Sequence, residues 1–98
     1  MPAYLISIRL EPGGKPITFR GREAWTVKRL IEAGNRGFSS FDEPAPRLSH
    51  YIWRLRRAGL EIETVSEQHG GTFPGQHGKY FLRSRLVVVT DQTTEVAA

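Results

Sequence analysis

The 98 residues predict a single α+β domain, a small antiparallel sheet combined with helices. Three observations carry that prediction. Two stretches, Gly21 to Ala33 and Pro46 to Ala58, place apolar residues at helical spacing. The N-terminal residues alternate as a strand does, and after residue 60 two β-branched or aromatic runs flank a glycine-rich segment. At this length one core must serve the whole chain. The expected division is residues 1–89 as the domain, with 1–20 an added N-terminal strand or hairpin, and 90–98 as a disordered tail.

Tyr4 to Leu10, YLISIRL, sets Ile6, Ile8 and Leu10 on one parity, and the EPGGKP that follows is turn chemistry. Ile17 to Phe19 therefore folds back as a second short strand. In GREAWTVKRLIEA the residues Ala24, Val27, Leu30 and Ile31 share one stripe, and Gly34 stands where a helix ends. Trp25 lies off that stripe and is expected to cover the N-terminal hairpin. Asn35 to Pro46 has the composition of a connection, yet Phe38 and Phe41 need burial. A one-turn middle helix capped by Ser39 or Ser40 and ended by Pro44 satisfies both demands.

Pro46 suits the first position of the third helix, because its missing N–H is not needed there. Leu48, Tyr51, Ile52, Leu55 and Ala58 form one face, while Ser49, His50, Trp53, Arg54 and Arg57 point the other way. Arg56 lies between the faces and is assigned to phosphate or solvent. Gly59 stops the helix and Leu60, Ile62, Thr64 and Val65 begin a strand. Gln68 to Gly78 reads as a long loop, and Lys79 to Val89 as the returning strand. Strand, tip and strand make a wing. The last residues, TDQTTEVAA, lack periodicity and apolar anchors.

Composition narrows the function classes. The chain has no cysteine, which excludes disulfides, thiolate metal sites and a cysteine nucleophile. The opening apolar run is too short for a signal peptide and no run approaches ~18 apolar residues, so a cytoplasmic protein is expected. The net charge is +4 and the pI about 10.0. Residues 21–60 hold eight Lys/Arg against four Asp/Glu, and residues 61–89 three against three. An anionic partner follows more readily than a membrane surface, because the basic helix lacks a wide apolar face.

The polar face of the third helix concentrates the chemistry. Arginine forms bidentate contacts to guanine or grips phosphate, serine and histidine reach either, and a helix N-terminus attracts phosphate. A merely solvated basic face is the competing reading. An indole on such a face is costly to leave in water, so Trp53 contacts DNA, contacts a second protein, or is covered by the wing or hairpin. The wing tip, His69, Thr72, Gln76 and His77, offers groups that can lie along a minor groove or phosphates. His69 and His77 do not make a metal site, since the nearest acid is Glu67 and a glycine-rich loop does not preorganise ligands. Gly78-Lys79 lacks the Ser/Thr and the helix of a phosphate loop, and no catalytic spacing is present. Neither an enzyme nor a cofactor is expected.

RLSHYIWRLRRAGLEIET, followed by HGKYFLRSRL, resembles a winged-helix family of small bacterial and phage helix-turn-helix proteins. The shared features are an arginine and small polar residue opening the helix, Ile52, Leu55-Arg56-Arg57, Gly59, Ile62-Glu63-Thr64 and an aromatic last strand at Tyr80. GREAWTVKRLIEAG, the proline-bracketed APR and HGGTFPGQHGKYFLRSR are similar to a narrower group of winged-helix-domain proteins. The resemblance covers roughly residues 15 to 89. It implies three helices, the middle one short, a two- or three-stranded sheet with a wing hairpin, and a third helix in the major groove of double-stranded DNA. It makes Arg47, Ser49, His50, Trp53 and Arg54 the groove face and Lys79 the wing-side phosphate contact. The function expected is a small transcriptional or phage-related regulator. The alternative is a protein–protein interaction module or homodimer using Trp53 and the Leu86 to Val89 strand.

Overall fold

The computed structural model describes residues 2–39, 47–70 and 75–95, with side chains over 4–39, 47–68 and 78–92. Strands β1 (Pro2–Leu10) and β2 (Pro16–Arg20) form the expected hairpin. Its register places Ile6 opposite Phe19 and Ile8 opposite Ile17, so one face is apolar. The other face is polar, with the Ser7 and Thr18 hydroxyls 2.7 Å apart. The turn needs Gly13, at φ +76.

Helix α1 (Gly21–Ala33) follows directly and lays Ala24, Val27 and Leu30 into the core. Thr26 is also fully buried, and its hydroxyl donates to the Arg22 carbonyl at 2.8 Å, which leaves no orphan polar group. Trp25, half-buried, packs against the core. It stands edge-on to Phe38, ring centroids 5.8 Å apart, with the Arg29 guanidinium 5.5 Å from its own ring centroid. After α1 comes a single 3-10 turn, Gly34–Arg36. The expected middle helix falls on residues 40–46 and Phe41 with it, outside the described residues. Two α-helices, rather than three, are present among the described residues.

Helix α2 (Leu48–Arg57) begins two residues after Pro46, which itself lies outside the described residues. Arg47 caps it in the left-handed region, φ 63 and ψ 25, and its carbonyl accepts from His50 N at 3.0 Å. That conformation cannot belong to the helix, and for a residue with a Cβ it costs about 1–2 kcal/mol. Leu48, Ile52 and Leu55 are buried and Tyr51 half-buried, as the wheel predicts; Ala58 caps the end and is exposed.

Strands β3 (Ile62–His69) and β4 (Gly75–Leu82) pair from Ile62–Leu82 to His69–Gly75. The wing strands therefore extend through most of the segment expected to be loop, because ladder hydrogen bonding outweighs the weak strand propensity of Gly75 and Gly78. Phe38 joins this sheet: its N–H donates to the Tyr80 carbonyl and the Tyr80 N–H donates back, both at 2.8 Å. Gly37 makes the approach possible. At φ +77 a Cβ there would sit 2.7 Å from the Phe81 ring and 2.9 Å from Lys79 Cγ.

The predicted last strand is in fact two. The chain leaves the wing at Leu82, crosses through Arg83, Ser84 and Arg85, and re-enters as β5 (Leu86–Glu95) against β1. The crossing is tied at each step. Arg83 N donates to the Glu61 carbonyl (2.8 Å), Glu61 N to Ser84 Oγ (2.7 Å) and Glu11 N to the Arg85 carbonyl (2.9 Å). The tail expected to be disordered from residue 90 instead continues β5 to Glu95, while 96–98 lie outside the described residues. Polar Thr90 to Glu95 needs no buried face, because its order comes from backbone bonds to β1. The result is a three-stranded sheet, β2-β1-β5, and a separate wing, β3-β4. A chain ending at Val89 loses the partners of Pro2 to Ser7. At a few tenths to 1 kcal/mol per cross-strand pair it is expected to be less stable by about 1–3 kcal/mol in urea unfolding. An unchanged midpoint would contradict the pairing.

Candidate nucleic-acid interface

Helix α2 holds its two faces through core anchors at Leu48, Ile52 and Leu55, each at most 4% exposed. The opposite side is therefore fixed in direction. It carries Arg47, Ser49, His50, Trp53, Arg54 and Arg57, six of the seven helix and wing-strand candidates, together on one surface.

Trp53 is 52% exposed and is covered by neither wing nor hairpin among the described residues. Its neighbours come from its own helix. The His50 ring stacks on it, centroids 6.2 Å apart and planes at 23°, and the Arg57 guanidinium lies 5.0 Å from its centroid. The i, i+3, i+7 spacing produces this ladder directly, since residues three and four apart meet on a helix surface. The ladder leaves a flat aromatic body with a cationic end on open surface, the composition that meets sugars, base edges and phosphates.

The arginines of Trp53-Arg54-Leu55-Arg56-Arg57 have different duties. Arg54 Nε donates to the carboxylate of Glu23, in the first turn of α1. Arg57 carries the ladder. Arg56, assigned by its sequence position to phosphate or solvent, does neither: its guanidinium donates to the Ile62 carbonyl (Nη2 at 2.6 Å) and to Thr64 Oγ1 (2.7 Å). It fastens α2 to the first wing strand. Glu23 and Arg54 are 31 residues apart, and no local pattern announces their pairing.

Lys79 does not join the α2 face. It sits on β4, 3.4 Å from Glu67, in an open cleft of about 580 Å³ lined also by Arg29, Glu32, Arg36, Gly37 and Phe38. None of the α2 candidates lines that cleft. Arg29 and Arg36 were not among the sequence candidates; only their place within the basic excess of residues 21–60 hinted at them. Of the wing-tip candidates, His69, Gln76 and His77 have a described backbone, within the β3–β4 ladder. Their side chains, and Thr72, lie outside the described residues.

The sequence pattern of the winged helix domain family matches residues 16–92, more than three quarters of the chain. The chain belongs to that family. No curated protein and no solved structure matches it. In this winged helix the β3–β4 hairpin stands in the place of the wing, tied to α2 through Arg56 and to the segment after α1 through the Phe38–Tyr80 bridge. Strand β1 precedes the matched segment, whereas β5 lies within it as far as Gln92. Among the described residues no helix is long and apolar enough to cross a membrane.

The two faces of α2 should separate in a stability measurement. Ile52→Ala is expected to cost about 2–5 kcal/mol, since it empties a buried site. Trp53→Ala should cost under about 1 kcal/mol, as for exposed residues outside the core. Urea unfolding of both variants checks this, and equal losses would place Trp53 in the core.

Proposed function

We propose that the protein binds duplex DNA with sequence preference, as a small cytoplasmic regulator of transcription or of phage genes. Helix α2 enters the major groove and the wing lies beside it. The observation that carries this reading is the exposed His50–Trp53–Arg57 ladder, flanked by Arg47 and Arg54, on a helix whose other side is locked in the core. A rigid helix presenting cations and one large flat ring suits groove edges and backbone together. The winged helix is in general a DNA-binding fold, and membership adds support on that general level.

On this reading Arg47, Arg54 and Arg57 reach phosphates or base edges, Ser49 and His50 hydrogen-bond within the groove, and Trp53 meets sugar or thymine-methyl surface. Lys79 acts, if it reaches DNA, from the separate cleft on the β4 side. The exposed indole also favours a second reading, in which α2 docks on a protein. Duplex titration separates the two.

Binding measured at several salt concentrations is expected to give a log–log slope of roughly −3, about −0.9 for each phosphate neutralised. A slope near zero, or no binding at low salt, rejects the DNA reading. Arg57→Ala should weaken binding by about 1–3 kcal/mol if the contact is to a base, with the loss depending on sequence; a uniform loss assigns Arg57 to the backbone.

Glu23 gives a second measurement with the opposite sign. Arg54 must exchange the Glu23 carboxylate for DNA, so Glu23→Gln is expected to tighten binding. The exposed pair is worth about 0.2–1 kcal/mol, which corresponds to a gain of up to about fivefold. Unchanged affinity would show that Arg54 stays with Glu23 in the complex.

A further inference from the structure

The outward side of α2 is not uniform, and helical geometry divides its candidates. At 3.6 residues per turn, each residue turns the helix by about 100°. Measured against the buried line of Leu48, Ile52 and Leu55, Arg57 and His50 point outward, within about 20° of the opposite direction. Trp53 stands about 50° to one side of that direction and Arg54 about 50° to the other. The contacts agree: Arg56, beyond Trp53, is bonded to the first wing strand at Ile62, and Arg54 to Glu23 of α1. When such a helix lies in a groove, the outward pair faces the base edges and the flanks face the walls.

Arg57 is the last residue of α2, so its reach depends on where its guanidinium is held. Helical side chains lean towards the N-terminus, and each covers the surface of the turn before it. Here that surface is Trp53, and the guanidinium lies over the indole, 5.0 Å from its centroid. The His50 ring, stacked on the indole with centroids 6.2 Å apart, steadies it in turn. A cation over a ring face uses its charge and none of its N–H donors. Arg57 is exposed, and unlike Arg54 it is paired with no carboxylate among the described residues.

We propose that Trp53 is a positioning residue, whose indole holds the Arg57 guanidinium towards the groove floor for a bidentate contact to O6 and N7 of a guanine. This rests on the duplex DNA reading and sharpens it: Arg57 supplies a base preference and Trp53 its orientation. Guanine alone presents two acceptors side by side in the major groove, which match two parallel N–H groups of a guanidinium. An arginine without such a platform samples many rotamers, and restricting them beforehand lowers the entropy lost on binding. A guanidinium that only covered the indole would leave base preference untouched.

The test selects duplexes from a random-sequence pool at low salt with the full chain, its Arg57→Ala variant, and Trp53→Ala, Trp53→Leu and Trp53→Phe. The parent should enrich guanine at one position by about 5- to 150-fold over the other bases. Arg57→Ala should erase that preference. Trp53→Ala and Trp53→Leu should cut it by about 2- to 30-fold, the worth of a cation over a ring, while Trp53→Phe keeps most of it because a π face remains. Leucine preserves apolar bulk, and every variant should melt with the parent because both sites are exposed. In the selected duplex, 7-deazaguanine at that position replaces the N7 acceptor by C–H, and should weaken the parent but not Arg57→Ala.

No binding of the pool at low salt would reject the DNA reading itself, and this proposal with it. Binding without a guanine preference tied to Arg57 overturns the proposal alone. So does a Trp53→Leu variant that keeps the parent's preference, or a Trp53→Phe variant that loses it. A loss in Trp53→Ala spread evenly over all sequences also overturns it, by making Trp53 a backbone contact.

Discussion

Everything in this domain is assembled on α1. Its Ala24, Val27 and Leu30 are at most 1% exposed, and they meet β1 and β2 on one side and α2 on the other. A chain of this size has one core, and a thirteen-residue helix must serve two neighbouring surfaces at once. Thr26 shows how strict that demand is. Its hydroxyl is buried at the junction and is tolerated because it bonds back to Arg22. Trp25 finishes the flank of α1 by packing on Phe38, and so links the helix to the wing.

The arginines of α2 show how one short run of like residues is divided by tertiary surroundings. Arg56 is spent on the fold, holding the Ile62 carbonyl and Thr64. Arg54 is held by Glu23 across the α1–α2 junction. Arg57 is drawn along the indole of Trp53, where the cation meets the ring face. The basic face is therefore less positive than a count of arginines suggests, and more ordered. An arranged ladder loses less side-chain freedom on meeting a partner than three free side chains would.

The wing depends on a different contact. The reciprocal Phe38–Tyr80 bonds tie it to the end of α1, and they form only because Gly37 allows the Phe81 ring and the Lys79 stem to close over the backbone. The same closure turns Lys79 into the cleft with Arg29 and Arg36, away from α2. Arg29, Arg36 and Lys79 thus share a concave cleft, on a surface separate from the helical, aromatic one that carries Arg47, Arg54 and Arg57.

The sequence by itself determined the elements whose pattern is local. The β1–β2 hairpin, the bounds of α1, the buried Leu48, Ile52 and Leu55 and the outward Trp53 and Arg57 all follow from parity or helical spacing, because burial of one face imposes that spacing. The family could be read from the same residues. Tertiary structure alone decided which strands meet. Lys79 to Val89 reads as one strand, but the chain divides it between two sheets at Arg83 to Arg85. Polar Thr90 to Glu95, which no apolar pattern marks, is ordered by backbone bonds to a strand more than eighty residues earlier. The Glu23–Arg54 and Arg56–Ile62 contacts were invisible for the same reason: an ion pair or a side-chain bond to a carbonyl leaves no periodicity, only a distance that folding creates.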